Sequence, residues 1–143
     1  MFTTMSSLPR TAPGFANAYR RVGVETGVSG ATPHKLIQML FDGFVDAVAQ
    51  ARGAMRNRRI EAKGQAISRA LGIVEDGLHA ALNKDQGGPL AANLAALYGY
   101  VAQRLTHANL TNDETALDEC IALIDPLRQS WAVIGPQVDG PRQ

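Results

Sequence analysis

The stretch from Gly87 to Asn109 constrains the chain more than any other, because it specifies a complete amphipathic helix with its start, its stop and its faces. Gly87-Gly88 breaks whatever precedes it, Pro89 suits a first helical turn in which an N–H has no partner to lose, and Asn109 is a tolerated left-handed terminator. Between them Leu90, Leu94, Leu97, Val101, Leu105 and Ala108 recur at three- and four-residue spacing and fall on one stripe. Tyr98 and Tyr100 sit on opposite edges of that stripe. Each has an apolar ring to bury and a hydroxyl that needs a partner, so the two mark seams where this helix meets its neighbours.

One apolar stripe must be covered by other elements, and the composition says which. The 143-residue chain is 45% hydrophobic but only 6% aromatic, a core of Leu, Ile, Val and Ala that suits helix packing. Thr32-Pro33 supplies a cap and a first-turn proline for a helix reaching Met55 or Arg56, with Ile37, Leu40, Phe41, Phe44, Val48, Ala51 and Met55 inward. A second helix from Ile60 to Leu82 turns Ile60, Ile67, Leu71, Val74, Leu78 and Leu82 inward. Thr111 with Glu114 reads as a capping box for a fourth, carrying Leu117, Cys120, Ile121, Ile124, Leu127 and Trp131. Asp125-Pro126 predicts a kink there or a short fifth helix from Pro126 to Ile134.

Short connections between such helices predict an all-α fold, an antiparallel up-down four-helix bundle over residues 32–134. Residues 1–31, punctuated by Pro and Gly, read as a mobile N-terminal arm. Its cluster Phe15, Ala18, Tyr19 and Val22 can form a short capping helix only by leaning on the body, since nucleating an isolated turn is costly. Residues 135–143 read as a flexible tail.

The residues that carry chemistry are not arranged to perform any. His34, His79 and His107 are dispersed and read as surface or capping groups. Asp76 lies three before His79, but a di-metal bundle needs that pair twice, so neither metal nor cofactor is expected. Cys120 falls on an inward stripe, where a thiol is a small hydrophobe, and as the single cysteine it excludes an intramolecular disulfide. Phosphate-loop and dinucleotide motifs are missing, and the chain is not expected to be an enzyme. A formal charge of +1 advertises no nucleic acid. Without a secretory signal or an apolar run of ~20 residues, the expected address is the cytoplasm, with no membrane insertion. Asp42 and Asp46 read as a solvated face, and Arg52, Arg56, Arg58 and Arg59 as cations at a helix end.

What remains is surplus apolar surface. Helix one carries a second line, Leu36, Met39, Gly43 and Ala47, and helix two carries Ala66, Ala70, Ile73, Gly77 and Ala80. Helical glycine costs roughly 0.5–1 kcal/mol relative to alanine, a cost that close backbone approach can offset. Two readings of the resulting trough stand side by side. In one it is a second core contact, covered by the arm around Tyr19. In the other it receives a foreign amphipathic helix, with Leu36, Met39, Leu40, Ile73 and Tyr98 as walls and Gly43, Ala47, Ala66 and Gly77 as floor.

Several of these residues, taken in order, resemble the flagellar export chaperone family, the FliS-like proteins. They are Tyr19; the run Leu36-Ile37-Gln38-Met39-Leu40-Phe41-Asp42-Gly43; Gly87-Gly88 through Asn93-Leu94-Ala95-Ala96-Leu97-Tyr98-Gly99-Tyr100 to Arg104-Leu105 and Ala108-Asn109; and Trp131. Phe41 stands where that family usually has tyrosine. The resemblance implies a cytoplasmic helical bundle that binds the disordered C-terminal segment of flagellin, keeps it from polymerising and delivers it to the export apparatus. It further implies an arm, with Tyr19, covering the groove in the free protein, and an export-gate component and other flagellar regulators as additional partners. The alternative is a structural or regulatory bundle that self-associates as a homodimer through the same groove.

Overall fold

The computed structural model describes residues 31–82 and 84–138, without the side chains of 84–86 and 135–138. Four helices account for nearly all of it. Helix α1 spans Pro33–Arg56; α2 is α-helical over Ile60–Gly72 and continues as a π-helical segment over Ile73–His79; α3 spans Lys84–Thr111 and α4 spans Glu114–Val138. Packing runs α1 on α2, α2 on α3, α3 on α4 and α4 back on α1, the closed ring of an up-down bundle. Its centre is built from Leu40, Phe44, Ile67, Ile73, Leu105, Leu117 and Ile124, all essentially inaccessible. The arm, with Phe15, Tyr19 and Val22, and residues 139–143 of the tail lie outside the described residues.

Helix ends follow local chemistry, with several departures from the sequence expectation. Thr32 caps α1 as expected, its hydroxyl accepting from Lys35 N at 3.0 Å. At the other end of α1, Arg59 N donates to Ala54 O and Arg58 N to Met55 O. This is a Schellman closure with Arg58 in the left-handed position at φ 57°. Gly88 is likewise left-handed at φ 57°, and a Cβ on Gly87 would lie 2.4 Å from that of Ala91. The Gly-Gly pair thus makes the break before Pro89 by conformation at one residue and by space at the other.

Helix α3 does not stop at Asn109 but runs to Thr111, and Asn112 at φ 55° is the left-handed terminator. The reason is tertiary: Lys63 of α2, buried to 6% exposure, donates from Nζ to Asn109 O at 2.9 Å and to Asn112 Oδ1 at 2.6 Å. That ammonium satisfies the end of α3 where its dipole is negative. The capping box of Thr111 is likewise replaced. Thr111 bonds back to His107 O, and Asp113 caps α4 by accepting from Thr115 N and Ala116 N. No separate fifth helix forms among the described residues. Helix α4 continues through Asp125-Pro126 and past Ile134 to Val138, held to α1 by Arg128, which bonds both Asp125 and Asp42.

Gly77 seats α2 directly against Leu40 of α1. A Cβ there would meet Leu40 Cδ2 at 2.8 Å, whereas Gly53, Gly64 and Gly99 have nothing within 4 Å. Close packing therefore explains Gly77 and not those other glycines. Gly77→Val is expected to lower the free energy of unfolding by about 1–3 kcal/mol, because Leu40 is enclosed and cannot step aside. Gly64→Ala is expected to raise it by about 0.4–1 kcal/mol through the unfolded state. Urea denaturation of the two variants checks both signs.

Candidate functional site

The start of α1, the end of α2, the first turns of α3 and the last turns of α4 meet at one end of the bundle. The stripes that close the core further in diverge there and leave a recess of about 450 Å³. Helix α1 contributes Pro33, His34, Ile37 and Phe41; α2 contributes Leu78 and the two residues after its π segment, Ala81 and Leu82. Helix α3 contributes Leu90, Leu94 and Tyr98, and α4 contributes Leu127, Ser130, Trp131 and Ile134. Leu90 is 67% exposed and Ile134 38%, with Val133 beside it at 72%. The lining is apolar almost throughout, which suits a side-chain anchor rather than a reaction.

One wall is fixed by a reciprocal clasp. Trp131 Nε1 donates to His34 O at 3.0 Å, and His34 Nε2 donates to Trp131 O at 2.8 Å. The two rings stack with centroids 5.0 Å apart. Each residue thus satisfies the other's polar groups and leaves the ring surfaces to form the wall. The imidazole expected to cap or face solvent is a structural part of this rim.

The two tyrosines of α3 divide as their stripe edges require. Tyr100 donates its hydroxyl to Glu119 of α4, which also accepts from Arg104 Nε at 2.8 Å. The Tyr100 hydrogen bond, then Arg104, hold the Glu119 carboxyl below its usual range. This clasp closes the α3–α4 seam. Tyr98 turns the other way, is 4% exposed, and lines the recess. Burial pushes its pKa up to about 12, and its hydroxyl has no hydrogen bond among the described residues.

Of the groove residues expected from the sequence, only Tyr98 lines this recess. Leu36, Leu40, Ala47, Ala66 and Ile73 belong to the central core, Gly77 is buried against Leu40, and Met39 and Gly43 are half-buried. In the described bundle, then, much of the second apolar line is a core contact. Most residues that form the recess, Ile37, Phe41, Leu78, Leu82, Leu90, Leu94, Leu127 and Trp131 among them, carry the spacing of inward stripe positions. Their distinguishing signal is that they lie in the halves of four helices that converge on one end of the bundle. Ile60, read as inward, is 75% exposed, at the rim of a recess it shares with Met55, Asn112 and Glu114.

The remaining candidates are structural. Cys120 is fully buried with Sγ 3.8 Å from Val101 O, and burial pushes its thiol up to about 12. Arg52 and Arg56 pair with Asp118 and Glu114 of α4, and Asp46 accepts from Gln50. Among the described residues no three His, Cys, Asp or Glu side chains are grouped to hold a metal ion, and no helix is long and apolar enough to cross a membrane.

Comparison with known proteins points in one direction. The profile of the family described as Flagellar protein FliS matches residues 15–138. The chain is 42% identical over 127 residues to the flagellar secretion chaperone FliS of Salmonella typhimurium (strain LT2), spanning 89% of this chain and 93% of that protein. It is 46% identical over 113 residues to the flagellar secretion chaperone FliSB of Pseudomonas aeruginosa, spanning 79% and 89% respectively. It is 31% identical over 107 residues to the FliS of Bacillus subtilis (strain 168), spanning 75% and 78%.

Tyr98 and Cys120 make the fold sensitive to alkali. Below their ordinary values of 10.0 and 9.0 both are protonated whether the chain is folded or not. Above those values the unfolded chain releases protons that the folded one keeps until about pH 12, so stability falls as pH rises through that window. Urea midpoints measured from neutral pH upward should decline there. Tyr98→Phe, which removes a hydroxyl without a partner, should retain a larger fraction of its neutral-pH stability.

Proposed function

The chain belongs to the FliS family, and we propose that it is a flagellar secretion chaperone that holds the C-terminal segment of flagellin as a helix, anchored in the apolar recess. The observation that carries this reading is the recess itself, an end of the bundle where four helices offer apolar side chains and almost no polar ones. An amphipathic helix is the ligand for such a surface, set by anchors at helical spacing. Tyr98 and Ser130 supply the exceptions, hydroxyls able to bond a client backbone group. In this reading the protein works in the cytoplasm, has no catalytic step, and passes its client to the export apparatus.

The energetics favour several modest anchors over one deep one. Ordering a disordered client costs about 2–5 kcal/mol or more, and burying one side chain of leucine size contributes about 1.5–3 kcal/mol. A single anchor is therefore consumed by ordering. Leu90, Val133 and Ile134, exposed around the recess, supply the further contacts that give net affinity. Residues 1–31 act in this reading as a removable cover, with Phe15, Tyr19 and Val22 as its apolar contacts. A cover protects an apolar surface from aggregation and yields to a client that buries more area.

A peptide from a flagellin C-terminus, titrated into the protein and followed by circular dichroism, should gain helix and bind at micromolar concentration. Leu90→Glu combined with Ile134→Glu should weaken it about tenfold or more with little change in urea midpoint, since both side chains are exposed. Deleting residues 1–18 and replacing Tyr19 by Ala should raise client affinity. A peptide that gains no helix and does not bind would overturn the reading.

A further inference from the structure

The α1–α2 and α3–α4 turns meet at the end of the bundle opposite the recess, joined by Lys63 to Asn112 and by Arg56 to Glu114. Ile60 and Leu110 stand at this end, 75% and 78% exposed, the two most exposed large apolar side chains among the described residues. Arg58 and Arg59 precede Ile60 in the α1–α2 turn and line one recess with it. Arg52, Arg56, Arg69, Arg104 and Arg128 each hold a side-chain partner, whereas Arg58 and Arg59 have none among the described residues. Of the nearby carboxylates, Glu114 is taken by Arg56 and Asp113 caps α4, so Glu61 alone stands against the two guanidinium groups. That recess, of about 400 Å³, is lined in part by Met55, Arg58, Arg59, Ile60, Lys63 and Glu114.

We propose that this end is a second docking surface, for an acidic amphipathic helix of a partner protein. Its apolar side chains would lie against Ile60 and Leu110, and its carboxylates would meet Arg58 and Arg59. The choice of partner chemistry rests on charge. The whole chain carries a formal +1, so two guanidinium groups without partners beside bare apolar side chains are a local excess of one sign. Arginine also binds carboxylates through a planar fork that lysine lacks. Arg58 moreover occupies a left-handed position, φ 57°, where glycine is the usual residue because it carries no Cβ. An arginine there costs backbone strain, and its guanidinium supplies the docking charge in return. The proposal is independent of the client recess.

The probe is a fluorescent synthetic helix with leucines on one face and glutamates flanking them, compared with a counterpart in which lysine replaces every glutamate. The acidic helix should bind the full-length protein and weaken as salt rises, and the lysine counterpart should bind at least tenfold more weakly. Arg58→Glu with Arg59→Glu should abolish binding, and Ile60→Ser with Leu110→Ser should reduce it at least tenfold. All of these measurements are made with Leu90→Glu and Ile134→Glu present, so that the client recess does not take up the leucine face of the probe. Arg58→Gly provides a control for folding, since it should raise the thermal midpoint while weakening the probe severalfold. Equal binding of the lysine counterpart, or unchanged affinity in the Arg58 and Arg59 or the Ile60 and Leu110 variants, would overturn the proposal. So would a concentration-dependent dimer in sedimentation that Ile60→Ser with Leu110→Ser dissolves, which would assign the surface to a second copy of the chain.

Discussion

The close seating of α2 on α1 at Gly77 is the contact on which the arrangement depends. With no side chain at that position, Leu40 fills the space between the helices, and the small residues Ala47, Ala66 and Ala70 continue the seam as buried core. Small residues let helix backbones come together, and dense contact then supplies the dispersion energy that an open trough would forgo. The apolar surface available to a ligand is displaced to where the helices can no longer stay in contact, at their ends.

Helix number, order and inward stripes were legible from apolar spacing, because burial on one face imposes the helical period directly on the residues. Helix ends were less so. Thr111 and Asp113 are both competent caps, and the choice between them turns on where α3 stops. That in turn depends on a lysine from α2 reaching Asn109 and Asn112, a contact far away in sequence. Ile60 fits the period of its helix, yet period says nothing about whether a neighbour extends far enough to cover it. The recess was hidden for the same reason. Phe41, Leu78, Leu94 and Trp131 carry ordinary core signatures, and only the convergence of four termini converts them from interior to wall.

The polar groups divide the same way. Polar groups of the interior and seams are consumed by architecture: His34 and Trp131 close a wall, Glu119 clasps Tyr100 and Arg104, and Cys120 is enclosed. One end keeps a tyrosine hydroxyl in an apolar setting, and the other keeps two guanidinium groups beside a bare Ile60. A binding protein needs no more than this, since affinity for a helix comes from spaced anchors and selectivity from a few polar groups whose pairing can be satisfied or denied.

The π-helical segment Ile73–His79 sets the phase of everything after it in α2. A wider turn holds more residues than an α turn over the same length, so it permits Val74 to stay in the core while Leu78, Ala81 and Leu82 come round to the recess. Removing one residue from that segment would return it toward α geometry and rotate the downstream side chains by about 100°. The core would keep most of its contacts, but Leu78 and its successors would face elsewhere. The shape of the recess is thus governed by residue count in a segment that supplies little of its lining, and length variation there would retune the surface while the bundle persisted.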